Sequence, residues 1–189
     1  MSITVEHLCK AYGGAVVLED VNMTLRPGVT CLMAPSGAGK TTLIRILLGL
    51  ERADSGTVTG LEHARLSAVF QEDRLLERLD GFENLRFVQG AAYEKNQAAA
   101  LLGELGLSDA GEKPVSAYSG GMKRRLALAR AIGVPFDFLV LDEPFTGLDG
   151  ENRARAIACI HRRAAGKTVL LVTHDESDAA GLDAAILRL

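Results

Sequence analysis

The sequence predicts an α/β fold in which a mostly parallel sheet is covered by helices on both faces. Two observations carry this prediction: strand-like and helix-like segments alternate along the last third of the chain, and the strands there are wholly apolar. Parallel strands joined by helices are buried on both faces, which requires unbroken apolar runs. With 189 residues, 48% hydrophobic and 24% charged, the chain is long enough for one globular domain with its own core.

The first third of the chain predicts strands at Ile3–Leu8, Val16–Leu25 and Val29–Ala34, from alternation, β-branched content and a short apolar run. A helix is expected directly after Gly39, because apolar side chains recur there at helical spacing, at Leu43, Ile46, Leu47 and Leu50. Two glycines at 56 and 60 predict breaks, and Leu66–Phe70 predicts another strand.

The middle of the chain changes character. From Glu72 to about Gly106 the leucine spacing is helical, which predicts a small helical lobe inserted into the sheet-containing domain. We therefore expect a core subdomain of residues 1–72 and 133–189 and a helical subdomain of residues 73–132. Alternation then resumes, with helices expected near 120–132 and 151–165 and strands at 138–141 and 168–172.

Composition and charge exclude several classes of protein. The net charge of −3 and a sequence pI near 5.8 argue against non-specific nucleic-acid binding as the main function. No apolar run approaches the ~18–20 residues of a membrane span, and the first residues lack a secretory profile. Three cysteines without a CxxC pair are typical of free thiols in a reducing compartment. These features predict a cytoplasmic chain, with any membrane span supplied by another subunit.

A glycine-rich loop between a strand and a helix predicts a phosphate-binding site. Small residues let backbone N–H groups converge on phosphate oxygens, and the helix that follows adds its positive end. We expect Lys40 to reach the β- and γ-phosphates and Thr41 to ligate Mg²⁺. The candidate nucleotide-binding residues here are Ala34, Pro35, Ser36, Gly37, Ala38, Gly39, Lys40, Thr41 and Thr42. Ala34 stands where this loop usually begins with glycine, and it would cost about 1 kcal/mol if φ were positive there.

Polar residues that follow two apolar strands predict the rest of a catalytic site. Ligands bind beyond the carboxyl ends of parallel strands. Asp142 and Glu143 end the first of these runs, so we expect Asp142 to hold Mg²⁺ and Glu143 to polarise an attacking water. His174 follows the second run, where we expect it to contact the γ-phosphate.

Six motifs in order together resemble the ATP-binding subunit of an ABC transporter. They are APSGAGKTT, the glutamine of VFQED, SGGMKRRLALARA, VLDEP, TGLD and THD, and they cover nearly the whole chain. The resemblance implies a P-loop NTPase fold with an N-terminal antiparallel β-region. It also implies an Mg²⁺-dependent ATPase that powers solute transport.

The resemblance also implies roles for residues outside the phosphate loop. Ser119, Gly120 and Gly121 match the signature that contacts the γ-phosphate of ATP held by a second subunit, which implies a head-to-tail dimer. Gln71 matches the glutamine that senses Mg²⁺ and the attacking water. Tyr12 matches the aromatic residue that stacks on adenine, and Asp149 matches the aspartate that communicates between subunits.

The segment FQEDRLLERLDGFENL, residues 70–85, resembles that of importers of small anionic or organic solutes such as nitrate or sulfonates. The resemblance implies a transmembrane permease subunit, a second ATPase subunit and, indirectly, a solute-binding protein, with the chain peripheral at the inner face of the membrane. Its excess of acidic residues favours an acidic docking face, and a solvated helix is the alternative. Two other functions stay open: a non-transport ABC ATPase and a weakly active nucleotide sensor. Export also stays possible.

Overall fold

The computed structural model describes residues 1–35 and 37–188 and has a mixed α/β architecture. The prediction for Ser36 lies outside the described residues. The strands are β1 (Ile3–Tyr12), β2 (Ala15–Leu25), β3 (Gly28–Met33), β4 (Ser55–Thr59), β5 (Leu66–Val69), β6 (Phe138–Asp142), β7 (Thr168–Val172) and β8 (Ala185–Arg188). The helices are α1 (Lys40–Leu47), α2 (Gly81–Gln89), α3 (Lys95–Glu104), α4 (Gly120–Ile132), α5 (Gly150–Arg163) and α6 (Glu176–Gly181).

The strands form two sheets, as the predicted fold class requires. An antiparallel sheet has the order β2-β1-β4, and a five-stranded sheet has the order β5-β6-β7-β3-β8. In the second sheet β3 runs parallel to both β7 and β8. All residues of β6 and β7 are buried, which confirms that their apolar runs belong to a sheet covered on both faces.

Backbone contacts divide the chain into two compact units. Unit 1 comprises Met1–Leu66, Asp137–Val140 and Gly166–Leu189, and unit 2 comprises Ser67–Phe136 and Leu141–Ala165. The predicted core and helical subdomains stay a prediction. Within the described part of the chain, no helix combines the length and apolar character that a membrane span needs.

The sequence does not predict strand β4, because Gly56 within it is typical of a break between elements. The strand pairs with β1, and Gly56 lies in it with a φ of +90°, where a side chain would meet the backbone of His7. The glycine therefore allows two strands to approach closely. The short elements α6 and β8 were also not predicted, and Leu50, expected on the buried face of α1, is 55% exposed.

The predicted helix over residues 72–80 is wrong, since the structure has no regular element there. Arg74 adopts a φ of +48°, which a right-handed helix does not accept. The Asn84 side chain instead pairs with the backbone N–H and carbonyl of Leu76. Helix α2 begins only after Asp80, which forms a capping box with Glu83.

Candidate functional site

In unit 1 the phosphate loop joins the end of β3 to the start of α1, the setting that the sequence predicts. Gly39 occupies the N-cap position of α1, and no acidic residue lies in the first turn. Thr41, in that turn, is exposed, and Thr42 is partly exposed. No carboxylate in the first turn of the helix neutralises its positive end. This end therefore favours the binding of an anion.

Two glycines of the loop adopt the left-handed conformation, and one of them is also sterically required. Gly37 and Gly39 have φ values of +84° and +79°. A Cβ at Gly39 would lie 2.6 Å from the carbonyl oxygen of Val17 and 2.6 Å from a methyl group of Leu18, whereas one at Gly37 would meet nothing within 4 Å. Strand β2 thus fixes the end of the loop through its contact with Gly39.

The side chain of Lys40 folds over the loop that precedes it. Its ammonium group donates to the carbonyl oxygens of Ala34 at 2.7 Å and Pro35 at 2.8 Å. An ammonium group has three donors, so these bonds hold the charge at the loop and orient it. Ala34 is not among the described residues with a positive φ, and the backbone cost considered for alanine at this position does not arise.

The structure places His174 at the same edge of the sheet as the phosphate loop. Strands β3 and β7 are parallel neighbours, with Leu32 aligned to Val172. Ala34, where the loop begins, therefore follows β3 directly, and His174 lies two residues beyond the end of β7. His174 is exposed, and this common edge is where ligands bind in open α/β sheets.

A buried hydrogen bond behind His174 was missed by sequence reasoning. The Thr173 hydroxyl donates to the Asp178 carboxylate at 2.8 Å and accepts from the backbone N–H of Asp175 at 3.1 Å. Thr173 and Asp178 are 2% and 5% exposed. These bonds fix the turn that carries His174. The only sequence signal for them is the group of polar residues that directly follows the apolar strand β7.

Tyr12 lies at the end of the β1–β2 hairpin and is 45% exposed. The hairpin closes through Gly13 and Gly14, whose φ values are both positive, the pattern of a tight two-residue turn. The Lys10 ammonium lies 5.1 Å from the centre of the tyrosine ring. Since β2 also contacts Gly39 in this region, the hairpin end and the end of the phosphate loop are close together.

In unit 2 the two candidate catalytic carboxylates lie at the end of β6. Asp142 is the last residue of the strand and is 8% exposed. Glu143 is less buried and adopts a φ of +48°, a left-handed conformation that costs about 1 kcal/mol or more for a residue with a side chain. The carbonyl oxygens of both residues accept hydrogen bonds from the Arg124 side chain. Strain of this kind is common at active sites.

The signature residues begin helix α4 with an exposed N-terminus. Ser119 is the N-cap, and its hydroxyl accepts from the backbone N–H of Met122 at 3.3 Å. Ser119 and Gly120 are exposed. A Cβ at Gly121 would lie 3.1 Å from the carbonyl oxygen of Gly147, so the signature lies against the loop that leads to Asp149.

Asp149 has a structural role in addition to its predicted role in communication between subunits. It is the N-cap of α5, and its carboxylate accepts from the backbone N–H of Asn152 at 2.9 Å and from the Asn152 side chain at 2.7 Å. These hydrogen bonds lower the pKa of Asp149 below the ordinary value. The carboxylate therefore stays ionised at the end of the loop that contacts the signature.

Residues 70–80 form no helix, and α2 begins only at Gly81. Several acidic side chains of residues 70–85 are paired within unit 2, and the acidic docking face stays a prediction. Asp73 pairs with Arg124 at 3.0 Å and Glu77 with Lys123 at 2.6 Å, while Asp80 and Glu83 form the capping box of α2. Gln71, just after β5, is exposed.

The candidate metal ligands offer the donor atoms that Mg²⁺ prefers. Thr41 contributes a hydroxyl, Gln71 an amide oxygen and Asp142 a carboxylate, and Mg²⁺ is bound by such oxygens together with water and substrate phosphates. In residues 1–35 and 37–188 no group of three or more His, Cys, Asp or Glu side chains is arranged to hold a metal ion. The three donor types are each chemically suited to Mg²⁺.

Known proteins resemble this chain over most of its length. A family model described as "ABC transporter" matches residues 18–146. The chain is 38% identical over 192 residues to an aliphatic sulfonates import ATP-binding protein of Pseudomonas savastanoi pv. phaseolicola, covering 99% of this chain and 79% of that protein. It is 36% identical over 199 residues to a sulfate/thiosulfate import ATP-binding protein of Anthoceros angustus, covering 96% of this chain and 52%, about half, of that protein.

A solved structure described as a bacterial Atm1-family ABC exporter with ATP bound has the same fold. It superposes with a TM-score of 0.87 at 22% sequence identity, and the match covers 100% of this chain and 36% of that one.

Proposed function

The chain belongs to the ABC transporter family, and from this premise we propose that it binds and hydrolyses ATP to power the import of a small solute. The observation that carries the proposal is the phosphate loop at the end of β3, with Lys40 held over it and His174 at the same edge of the sheet.

The phosphate groups and the adenine bind to residues of unit 1. The loop amides and Lys40 bind the β- and γ-phosphates, and the exposed ring of Tyr12 stacks on adenine. Thr41, Gln71 and Asp142 are the proposed ligands of Mg²⁺, which neutralises charge on the phosphates when it is bound.

Hydrolysis uses Glu143 as the general base. Water attacks the γ-phosphorus, the bond from that phosphorus to the ADP oxygen breaks, and the water proton passes to the Glu143 carboxylate. Gln71 orients the water, and His174 contacts the γ-phosphate. The products are ADP and inorganic phosphate.

Two copies of the chain complete two sites. The N-terminus of α4 has no acidic residue in its first turn, so Ser119, Gly120 and Gly121 suit the γ-phosphate of ATP held by the other copy. Asp149, beside this signature, then links the two sites. Such a pair is a twofold dimer in which each copy lends its signature to the other.

The proposed partner is a transmembrane permease subunit, since the relatives above are named as import ATP-binding proteins. The chain then lies at the cytoplasmic face of the membrane and acts with a solute-binding protein indirectly. Because the relatives above are named for import of sulfonates and sulfate, we propose a small oxyanion or organosulfonate as the cargo and import as the direction.

A mixing experiment tests the dimer and the ATPase together. Lys40→Met removes the phosphate-binding lysine and Ser119→Arg blocks the signature, so each purified variant alone should lack Mg²⁺-dependent ATPase activity. A heterodimer of the two contains one site with both elements intact, and mixing should therefore restore activity. Mixed variants that stay inactive beside an active wild type would contradict the shared site, and an inactive wild type would contradict the ATPase itself.

A further inference from the structure

We propose that Arg124 is a positioning residue that holds the Glu143 turn and the Gln71 segment in one fixed arrangement and thereby sets kcat rather than ATP binding. The inference rests on the proposed ATPase function. It is carried by the contacts of one buried guanidinium group on helix α4, five residues beyond Ser119.

Arg124 holds the turn after β6 through three consecutive carbonyl groups. Its Nη2 donates to the carbonyl oxygens of Asp142 and Glu143, both at 2.5 Å, and its Nε donates to that of Pro144 at 3.2 Å. These carbonyls flank and include the left-handed residue Glu143. Charge-assisted hydrogen bonds of this kind offset the cost of an unfavourable backbone conformation.

The other terminal nitrogen holds the segment after β5. Nη1 donates to the carbonyl oxygen of Phe70 at 2.6 Å and to the Asp73 carboxylate at 3.0 Å, and it lies 3.4 Å from the carbonyl oxygen of Gln71. The two segments that carry the proposed base and the proposed water-orienting glutamine are thus joined through one side chain.

The chemistry of this site requires arginine. The Arg124 side chain is 5% exposed, and a buried cation must satisfy its donors within the protein. Arginine presents five N–H donors in a planar fork, whereas lysine is a point charge with three donors on a flexible stem. Lysine at 124 would keep the charge and the pairing with Asp73 but could not bond both segments at once.

Neighbouring arginines of the same helix do other work, so the role belongs to position 124. Arg125 donates to the carbonyl oxygens of Leu105 and Gly106 at the end of α3, both at 2.8 Å. Arg130 donates to the carbonyl oxygen of Arg74.

The test compares Arg124→Lys with a variant of equal stability. Ile132, which is 3% exposed in the same helix, can be shortened to valine or alanine, and the variant whose melting temperature matches that of Arg124→Lys is the control. Two readouts are taken on the full chain: steady-state ATPase kinetics, and amide hydrogen exchange of residues 70–73 and 142–146 without nucleotide.

We expect Arg124→Lys to lower kcat about tenfold to a hundredfold with KM for ATP within about threefold of wild type, because a small misplacement of catalytic groups has effects of this size. Exchange should rise in both segments, and the matched Ile132 variant should show neither change. Exchange equal to wild type in both segments overturns the proposal whatever the activity. Faster exchange with an unchanged kcat overturns it too. If the wild type hydrolyses no ATP, the proposed function fails, and exchange alone still decides whether Arg124 holds the two segments.

Discussion

The two left-handed glycines of the phosphate loop provide a matched pair for separating backbone strain from steric contact. Replacing Gly37 or Gly39 by alanine imposes nearly the same φ, +84° or +79°, on a residue with a side chain. Only at Gly39 does the new methyl group meet other atoms, at 2.6 Å from Val17 and Leu18 of β2. The two variants therefore differ mainly in that contact.

The expected magnitudes follow from these observations. A left-handed conformation costs an alanine about 1–2 kcal/mol, and the lower entropy of the unfolded chain returns about 0.4–1 kcal/mol. Gly37→Ala should therefore lower the free energy of unfolding by about 0–1.6 kcal/mol. The overlap at Gly39 adds about 1–3 kcal/mol, the usual cost of overpacking, so Gly39→Ala should cost about 1–4.6 kcal/mol.

Urea unfolding of the nucleotide-free chain, followed by circular dichroism, measures both values. The difference between the free energies of unfolding of the two variants reports the contact of Gly39 with β2. Gly39→Ala should also lose more ATP affinity, because β2 must then move or the end of the loop must shift. Equal free energies of unfolding for the two variants would refute the close approach of β2 to the loop.

Three further perturbations have distinct outcomes. Tyr12→Ala should raise KM for ATP by about fivefold to a hundredfold at unchanged kcat, since base stacking contributes about 1–3 kcal/mol. Tyr12→Phe, the control, should bind ATP as the wild type does. An equal loss of ATP affinity in both variants would contradict stacking. Asp149→Ala should lower the free energy of unfolding, measured by urea, through loss of the α5 cap, whereas no change would contradict the capping role. The bidentate Arg65 guanidinium holds the pKa of Asp137 far below its ordinary value. This pair should therefore stabilise the fold above about pH 4 and lose that contribution as the pH falls further. Asp137→Asn should flatten the acid limb of the stability profile, and an unchanged limb would contradict the pairing.

The elements that could be predicted are those whose burial pattern is local. Strands β6 and β7 are enclosed on both faces, so their sequences are apolar throughout, and α4 begins at a serine cap that the sequence itself displays. The phosphate loop was predictable for the same reason, because its strand, glycines and helix are contiguous.

The features that could not be predicted depend on partners distant in the chain. Residues 72–80 have helical leucine spacing, but Arg74 is left-handed and the backbone there is bonded by the side chains of Asn84 and Arg130. The left-handed φ of Glu143 has no sequence signal, since glutamate rarely adopts it. Arg124 donates hydrogen bonds to groups that lie 18 to 54 residues away in the chain, and no local motif indicates such contacts.

The central claim is that Glu143 performs the chemical step on ATP bound at the Lys40 loop. A single-turnover experiment with radiolabelled ATP and Mg²⁺ tests it most directly, because it separates binding from cleavage. Glu143→Gln should retain ATP at near wild-type affinity while its cleavage rate falls by about a hundredfold or more, the usual contribution of a general base. A variant that cleaves bound ATP as fast as the wild type would contradict the account.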